Sequence, residues 1–112
     1  MIAPANNPIQ LSPEKLASFC RRWGISRLEL FGSGLRRDFN AASDLDFLFT
    51  PGTRFPRDQA YGPWGRNRMA DELAQITGRT VDLVERRSVE QHRNWIRRRH
   101  ILESARTLYV EG

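Results

Sequence analysis

Two aspartates, Asp44 and Asp46, stand two positions apart in the otherwise apolar stretch Ser-Asp-Leu-Asp-Phe-Leu-Phe at residues 43–49. If this stretch is a β-strand, both carboxylates point to the same face, with their Cα atoms about 6.6 Å apart. Two carboxylates that converge to about 5 Å repel each other by roughly 3 kcal/mol at an effective dielectric constant of about 20. A divalent cation replaces that repulsion with coordination, and ligands that are all oxygens favour Mg²⁺ or Mn²⁺. The pair therefore predicts a divalent-metal site.

A third aspartate, Asp82, stands between Val81 and Leu83 in another apolar stretch. Three aspartates carried on strands could hold two metal ions about 3.5–4 Å apart, the arrangement that serves phosphoryl and nucleotidyl transfer. A purely structural alternative is open at this point, in which Asp44 caps a strand, Asp46 pairs with an arginine and Asp82 is a solvated edge residue. The residues upstream of the pair favour the metal site.

A Gly-Ser turn, Gly32 and Ser33, precedes the aspartate pair. Glycine lets the backbone approach a ligand closely, and a helix that begins just beyond Ser33 would direct free N–H groups toward a phosphate. Arg36, about one turn onward, could reach the same phosphate. The sequence Gly-Ser-Gly-Leu-Arg-Arg lacks the Gly-Lys-Ser/Thr ending of a Walker A loop, and Arg37 stands where a dinucleotide fingerprint has its third glycine. By itself the turn could be a plain turn or a phosphate-binding site of another kind, and the combination with the aspartates favours phosphate binding.

This combination resembles the nucleotidyltransferase superfamily that includes DNA polymerase beta, and in particular its minimal, MNT-type domains. The positions that match the motif of those domains are Gly32, Ser33, Arg36, Asp38, Ser43, Asp44 and Asp46. The downstream stretches Asp-Glu-Leu-Ala-Gln-Ile-Thr-Gly-Arg-Thr-Val-Asp-Leu-Val and His-Ile-Leu-Glu-Ser-Ala-Arg-Thr-Leu-Tyr-Val-Glu also resemble family segments, so the resemblance covers residues 16–111. Two features depart from the pattern: Arg37 stands where many relatives have glycine, and the loop at residues 50–65 is rich in proline and aromatic residues.

The resemblance implies a role for each matching residue. Asp44 and Asp46 would bind Mg²⁺ that carries ATP, with two ions expected, and Gly32 and Ser33 would hold the β and γ phosphates. Asp82, with the metal that it shares, would lower the pKa of an acceptor hydroxyl. Family members of this size are commonly antitoxins, so the resemblance implies transfer of AMP to a tyrosine of a HEPN-type RNase toxin.

Other functions stay open beside this one. The chain could be a binding module of the same fold that neutralises a toxin by forming a complex, although the intact motif residues argue against lost activity. The net charge of +5 could indicate a nucleic-acid-binding domain, but no stacking motif or recognition helix supports nucleic acid as a direct ligand. Nucleotidylation of a small molecule such as an aminoglycoside is disfavoured because no second substrate domain is recognisable.

The elements that would position these residues follow in the order helix, strand, turn, strand, loop, helix, strand, helix. Ser12 offers an N-cap, with Pro13 at the first helical position and Gly24 as the stop. The order predicts a single α+β domain over residues 1–112, a small mixed sheet with helices packed against it, after an extended lead-in at residues 1–11. Residues 50–65 are predicted to be an irregular loop. The C-terminal region is predicted to be helical, in one or two pieces, with a short extended segment at its end.

Several residues have both a structural and a functional interpretation. Phe55, Tyr61 and Trp64 in the long loop could stack on a nucleobase, contact a partner or pack over the core. Cys20 falls on the apolar stripe of the first helix, which predicts a core position. A single cysteine also suits a reducing compartment, and neither a secretory signal nor an apolar run of roughly 18 residues is recognisable. We therefore expect a cytoplasmic protein without a membrane span.

The positive charge comes almost entirely from arginine, because Lys15 is the only lysine. The arginines are scattered as well as clustered. The run at residues 97–99 spreads around a helix, so it is interpreted as a solvated face, with an acidic partner or RNA as the alternative. His92 and His100 are eight positions apart, which is not a metal-ligand spacing.

Overall fold

The chain contains both helices and strands, and a computed structural model describes its residues 11–32, 44–60 and 62–111. Within these ranges the elements are α1 (Pro13–Trp23), β1 (Ile25–Phe31), β2 (Leu45–Pro51), α2 (Arg57–Ala60), α3 (Gly65–Thr77), β3 (Val81–Glu85), α4 (Arg86–Glu90), α5 (Trp95–Ser104) and β4 (Arg106–Val110). This order agrees with the predicted one, and the C-terminal region is helical in two pieces before its final strand.

The four strands of the described residues form one sheet in the order β3-β2-β1-β4. Strand β1 runs antiparallel to both β2 and β4, whereas β2 and β3 are parallel. Parallel neighbours require a long crossover, which here carries α2 and α3. The predicted mixed sheet with helices packed against it is confirmed.

Helix α1 begins and ends at the predicted residues. The Oγ of Ser12 accepts a hydrogen bond from the backbone N–H of Lys15 at 3.4 Å, and Pro13 occupies the first helical position. Gly24 ends the helix in the left-handed conformation, with φ of 69°. The local sequence therefore determines both ends of this helix.

One face of the sheet carries the hydrophobic core. Strand alternation directs Leu45, Phe47 and Phe49 of β2 to this face, where all three are fully buried. The helices that cover this face contribute Leu16, Phe19 and Cys20 from α1 and Met69 and Leu73 from α3. Asp46, between two buried residues of β2, consequently points to the opposite face.

The opposite face contains a buried ion pair that the sequence did not predict. Glu29 of β1 is 2% exposed, and Nη1 of Arg86 donates hydrogen bonds to both of its carboxylate oxygens, at 2.6 and 2.7 Å. Hydrogen bonding to Glu29 is the main cause that raises the pKa of Arg86. Because Arg86 is the first residue of α4, this pair fixes the chain to the sheet directly after β3.

The loop at residues 50–65 is not wholly irregular, so that part of the prediction is wrong. It contains the single turn α2, in which the carbonyl of Pro56 accepts a hydrogen bond from the N–H of Ala60 at 2.8 Å. Ala60 is 1% exposed. Contact with the core therefore stabilises a helical turn that is too short to be stable by itself.

The aromatic residues of this loop have different environments. Phe55 is buried, and its ring centroid lies 5.6 Å from that of Phe49, so it belongs to the core. Trp64 is 72% exposed. Tyr61 lies outside the described residues.

Candidate nucleotidyl-transfer site

Two of the three predicted aspartates occupy neighbouring positions in the sheet. Asp46 of β2 is in register with Asp82 of β3, and the two strands are parallel. Neighbouring strands lie about 4.8 Å apart, and residues in register on parallel strands project to the same face. Asp46 is partly buried and Asp82 is exposed. The fold therefore brings these two carboxylates together at one end of the sheet, on the face away from the core.

Asp44 is exposed and lies one residue before β2 begins. The expected strand alternation therefore does not determine the direction of its side chain. The backbone beside it is fixed, because the N–H of Leu45 donates to the carbonyl of Thr80 at 2.9 Å. This hydrogen bond joins the start of β2 to the segment that leads into β3.

Oxygen ligands on two strands suit a magnesium ion that binds together with a nucleotide. Among the described residues, no group of three or more His, Cys, Asp or Glu side chains could hold a metal ion by themselves. Mg²⁺ keeps several of its waters and is commonly bound by one or two carboxylates plus substrate phosphates, so a closed protein cage is not required. Asp46 and Asp82 provide a donor set of this kind.

Gly32 follows β1 directly and packs against the carboxylate of Asp46. Its φ is 71°, in the left-handed region. A Cβ added to Gly32 would lie 2.5 Å from Oδ2 and 3.3 Å from Cγ of Asp46, well inside ordinary contact. Glycine is therefore required both by its backbone conformation and by the neighbouring carboxylate. Two further predicted site residues, Ser33 and Arg36, lie outside the described residues, as do Arg37, Asp38 and Ser43.

A cavity of about 420 Å³ opens beside Asp46 and Gly32. Its lining comes from the end of β1, from β2 and from α5, and consists of Phe31, Gly32, Asp46, Arg97, His100, Ile101 and Ser104. The residues from α5 have the spacing i, i+3, i+4 and i+7, which places them on one face of a helix. That spacing is visible in the sequence, but neither Arg97 nor His100 was assigned to a site. Arg97 is exposed, in agreement with the interpretation of the arginine run as a solvated face, and it also lines this cavity.

The remaining candidates are accounted for by structural roles. Burial in the core raises the pKa of Cys20 to about 12, so its thiol stays protonated near neutral pH. His92 is exposed, and its Nδ1 accepts a hydrogen bond from the N–H of Asn94 at 3.1 Å.

None of the helices in the described residues combines the length and apolar character needed to cross a membrane.

Comparison with known protein families gives a match over most of the chain. The profile of the family described as "Nucleotidyltransferase domain" matches residues 13–108. No curated protein matches the sequence significantly.

Solved structures share the fold. A mutant MntA–HepT toxin–antitoxin complex contains a chain that is 19% identical, with a TM-score of 0.60 over 91% of this chain and 75% of that chain. A toxin–antitoxin complex with AMP-PNP matches at 20% identity and a TM-score of 0.60, over 91% and 76% of the two chains.

Two further structures match over shorter ranges. The complex of a tri-AMPylated Shewanella oneidensis HEPN toxin with its MNT antitoxin matches at 19% identity and a TM-score of 0.55, over 88% and 69%. A protein described as a minimal nucleotidyltransferase is 27% identical, with a TM-score of 0.55 over 83% and 85%. Because the family profile matches nearly the whole sequence, the chain belongs to the nucleotidyltransferase domain family.

Proposed function

We propose that this chain transfers AMP from ATP to a tyrosine hydroxyl of a HEPN-type RNase toxin, and that it acts as the antitoxin of that toxin. The observation that carries the proposal is the register of Asp46 with Asp82, beside the tight approach of Gly32 to Asp46. Two carboxylates on adjacent strands, next to a backbone turn that has no side chain, suit a metal-bound triphosphate.

The choice of nucleotide and acceptor is supported by what the structural relatives bind. One of them contains AMP-PNP, and another contains a HEPN toxin that carries AMP groups. These relatives are about 20% identical to the chain, so their likeness establishes the fold. ATP and a HEPN toxin are the substrates that we would test first.

In this proposal Asp46 and Asp82 hold the magnesium ions, and Asp44 contributes from the position directly before β2. Bound Mg²⁺ neutralises charge on the phosphates and lowers the pKa of the acceptor hydroxyl. Gly32 and Ser33 bind the β and γ phosphates through the backbone and a hydroxyl. Arg36 binds the same phosphates and stabilises the charge that develops on pyrophosphate as it leaves.

The test is AMP transfer by the purified chain to its partner toxin. The chain, Mg²⁺ and α-labelled ATP are incubated with the toxin, and label and adenylate mass are measured on each protein. We expect Asp46→Asn and Asp82→Asn to reduce transfer by about 100-fold or more, because each removes a charged ligand from the magnesium ions that neutralise the reacting phosphates. Asp71→Asn, an exposed carboxylate in α3, is the matched control and should transfer at the unaltered rate.

Protection of cells from the toxin distinguishes catalysis from simple binding. If the Asp46→Asn, Asp82→Asn double variant assembles with the toxin but no longer protects, neutralisation requires transfer. If the double variant protects fully, the chain acts as a binding module. If no label moves to the toxin from any nucleotide with the unaltered chain, the proposed activity is wrong.

A further inference from the structure

The three consecutive arginines of α5 have three different surroundings. Nε of Arg99 donates to Oε2 of Glu103 at 2.8 Å, and Nη1 of Arg98 donates to the carbonyl of His92 at 3.2 Å. The side chain of Arg97 makes no hydrogen bond or ion pair with any of the described residues, and it lines the cavity beside Asp46. Only this member of the run is therefore placed to meet a ligand at the site.

Arg97 and Asp46 line the same cavity. A guanidinium provides a fork of N–H donors that matches the oxygens of a phosphate, while a carboxylate attracts a cation. A metal-bound polyphosphate carries both charges: its phosphate oxygens match Arg97, and its metal ion matches the carboxylate of Asp46. An uncharged or purely cationic ligand would leave Arg97 without an anionic partner.

The sheet order indicates which part of the substrate meets Arg97. Asp46 lies on β2. On one side of β2 is β3, which carries Asp82, and on the other side is β1, which Gly32 follows directly. The cavity lies on the Gly32 side and includes no part of β3. The family resemblance assigns Asp82, with its metal ion, to the acceptor hydroxyl, and the proposed function assigns Gly32 to the phosphates, so Arg97 is on the phosphate side.

We propose that Arg97 is a polyphosphate-binding residue, contributed by α5, which contacts the β and γ phosphates of the nucleoside triphosphate. This inference rests on the proposed nucleotidyl transfer and adds a specificity determinant to the same site. It predicts that the site binds a nucleoside triphosphate more tightly than a monophosphate, because a monophosphate has no β or γ phosphate for the guanidinium to contact.

The test compares ATP and AMP as ligands of the full chain in the presence of Mg²⁺. Calorimetric titration of Arg97→Ala should show ATP binding weakened by about 10- to 100-fold, the usual effect of losing a charged hydrogen bond. AMP binding should change by less than about threefold, since the contact is to the outer phosphates. Arg97→Lys should recover part of the ATP affinity, because it keeps the charge and loses the fork.

Arg99→Ala is the matched control, since it removes an exposed arginine from the same run while leaving the cavity lining intact. Thermal unfolding should show that both alanine variants are folded. In transfer assays, Arg97→Ala should raise KM for ATP and leave KM for the acceptor protein unchanged.

The other outcomes overturn the inference in distinguishable ways. If the unaltered chain transfers AMP and Arg97→Ala binds ATP as tightly as Arg99→Ala does, the inference is wrong and the proposed function stands. An equal loss of ATP and AMP affinity, or a rise in KM for the acceptor alone, places Arg97 elsewhere in the reaction and also overturns it. If the unaltered chain binds no nucleotide, the proposed function and the inference fail together.

Discussion

Replacing Gly32 with alanine should damage the site far more than it damages the fold. The added Cβ would lie 2.5 Å from Oδ2 of Asp46, whereas ordinary contacts begin at 3.4 Å, so the oxygen must move by about 0.9 Å. The atom that must yield is the far end of a side chain, which can rotate at little cost in stability. Rotation, however, moves a carboxylate that we assign to metal binding.

The size of each effect can be worked out separately. Alanine at φ of 71° carries a left-handed strain of about 1–2 kcal/mol, which should appear as a loss of unfolding free energy. A misplacement of about 1 Å in a reacting group can cost about 100-fold in rate, equivalent to about 2.7 kcal/mol of activation free energy. We therefore expect Gly32→Ala to remain folded at 25 °C and to lose about 99% of its transfer rate.

Gly78→Ala provides a control for backbone strain. Gly78 ends α3 with φ of 72°, and no atom lies within 4 Å of a Cβ built there. Urea unfolding should show similar losses of stability for both variants, while the AMP-transfer assay should show a large loss for Gly32→Ala alone. Equal transfer rates for the two variants would show that the close approach of residue 32 to Asp46 does not affect AMP transfer.

Three further outcomes are expected. Among the described residues, Arg86→Ala leaves the buried Glu29 with Arg27, 3.7 Å away, as its remaining ion-pair partner, so urea unfolding should show a loss of about 3 kcal/mol, whereas breaking the exposed Arg99 pair should change little. Burial raises the pKa of Cys20 from 9.0 to about 12, so above pH 9 the unfolded chain releases the thiol proton first and stability falls toward pH 12. At pH 10.5 that loss is about 2 kcal/mol relative to pH 8, and an equal pH dependence in Cys20→Ala would contradict it. EDTA should abolish AMP transfer and added Mg²⁺ should restore it, while transfer that persists in EDTA would exclude a divalent-metal requirement.

The local sequence was sufficient to predict features that depend on interactions between residues close together in the chain. Helix α1 begins after the N-cap Ser12, with Pro13 at a position where no backbone N–H is needed, and it ends at Gly24 in the left-handed conformation. Each of these effects acts within a few residues. The alternation of β2 likewise separates the core residues Leu45 and Phe47 from Asp46. These predictions needed no knowledge of what lies across the sheet.

The register between strands and the burial of residues away from the core could not be predicted from the sequence and became known only from the structure. Alternation gives the face of a strand, but the alignment of Asp46 with Asp82 depends on a crossover whose packing spans more than one helix. Glu29 stands in an alternating strand and would be expected at the surface, yet it is buried and paired with Arg86 of α4. The position of Arg97 beside the site depends in the same way on where α5 packs, which its own sequence does not specify.

The two sides of the candidate site, Asp46 on β2 and Arg97 on α5, differ in how well the surrounding packing holds them. Asp46 lies between Leu45 and Phe47, both 0% exposed, so the core that stabilises the fold also fixes the carboxylate. Helix α5 buries none of its residues, and Trp95 and Ile96 are each 57% exposed. Functional groups on packed strands are held more accurately than groups on weakly buried elements. Changes near Asp46 in the core should therefore reduce stability and transfer together, whereas changes to Arg97 should alter nucleotide affinity and leave stability nearly unchanged.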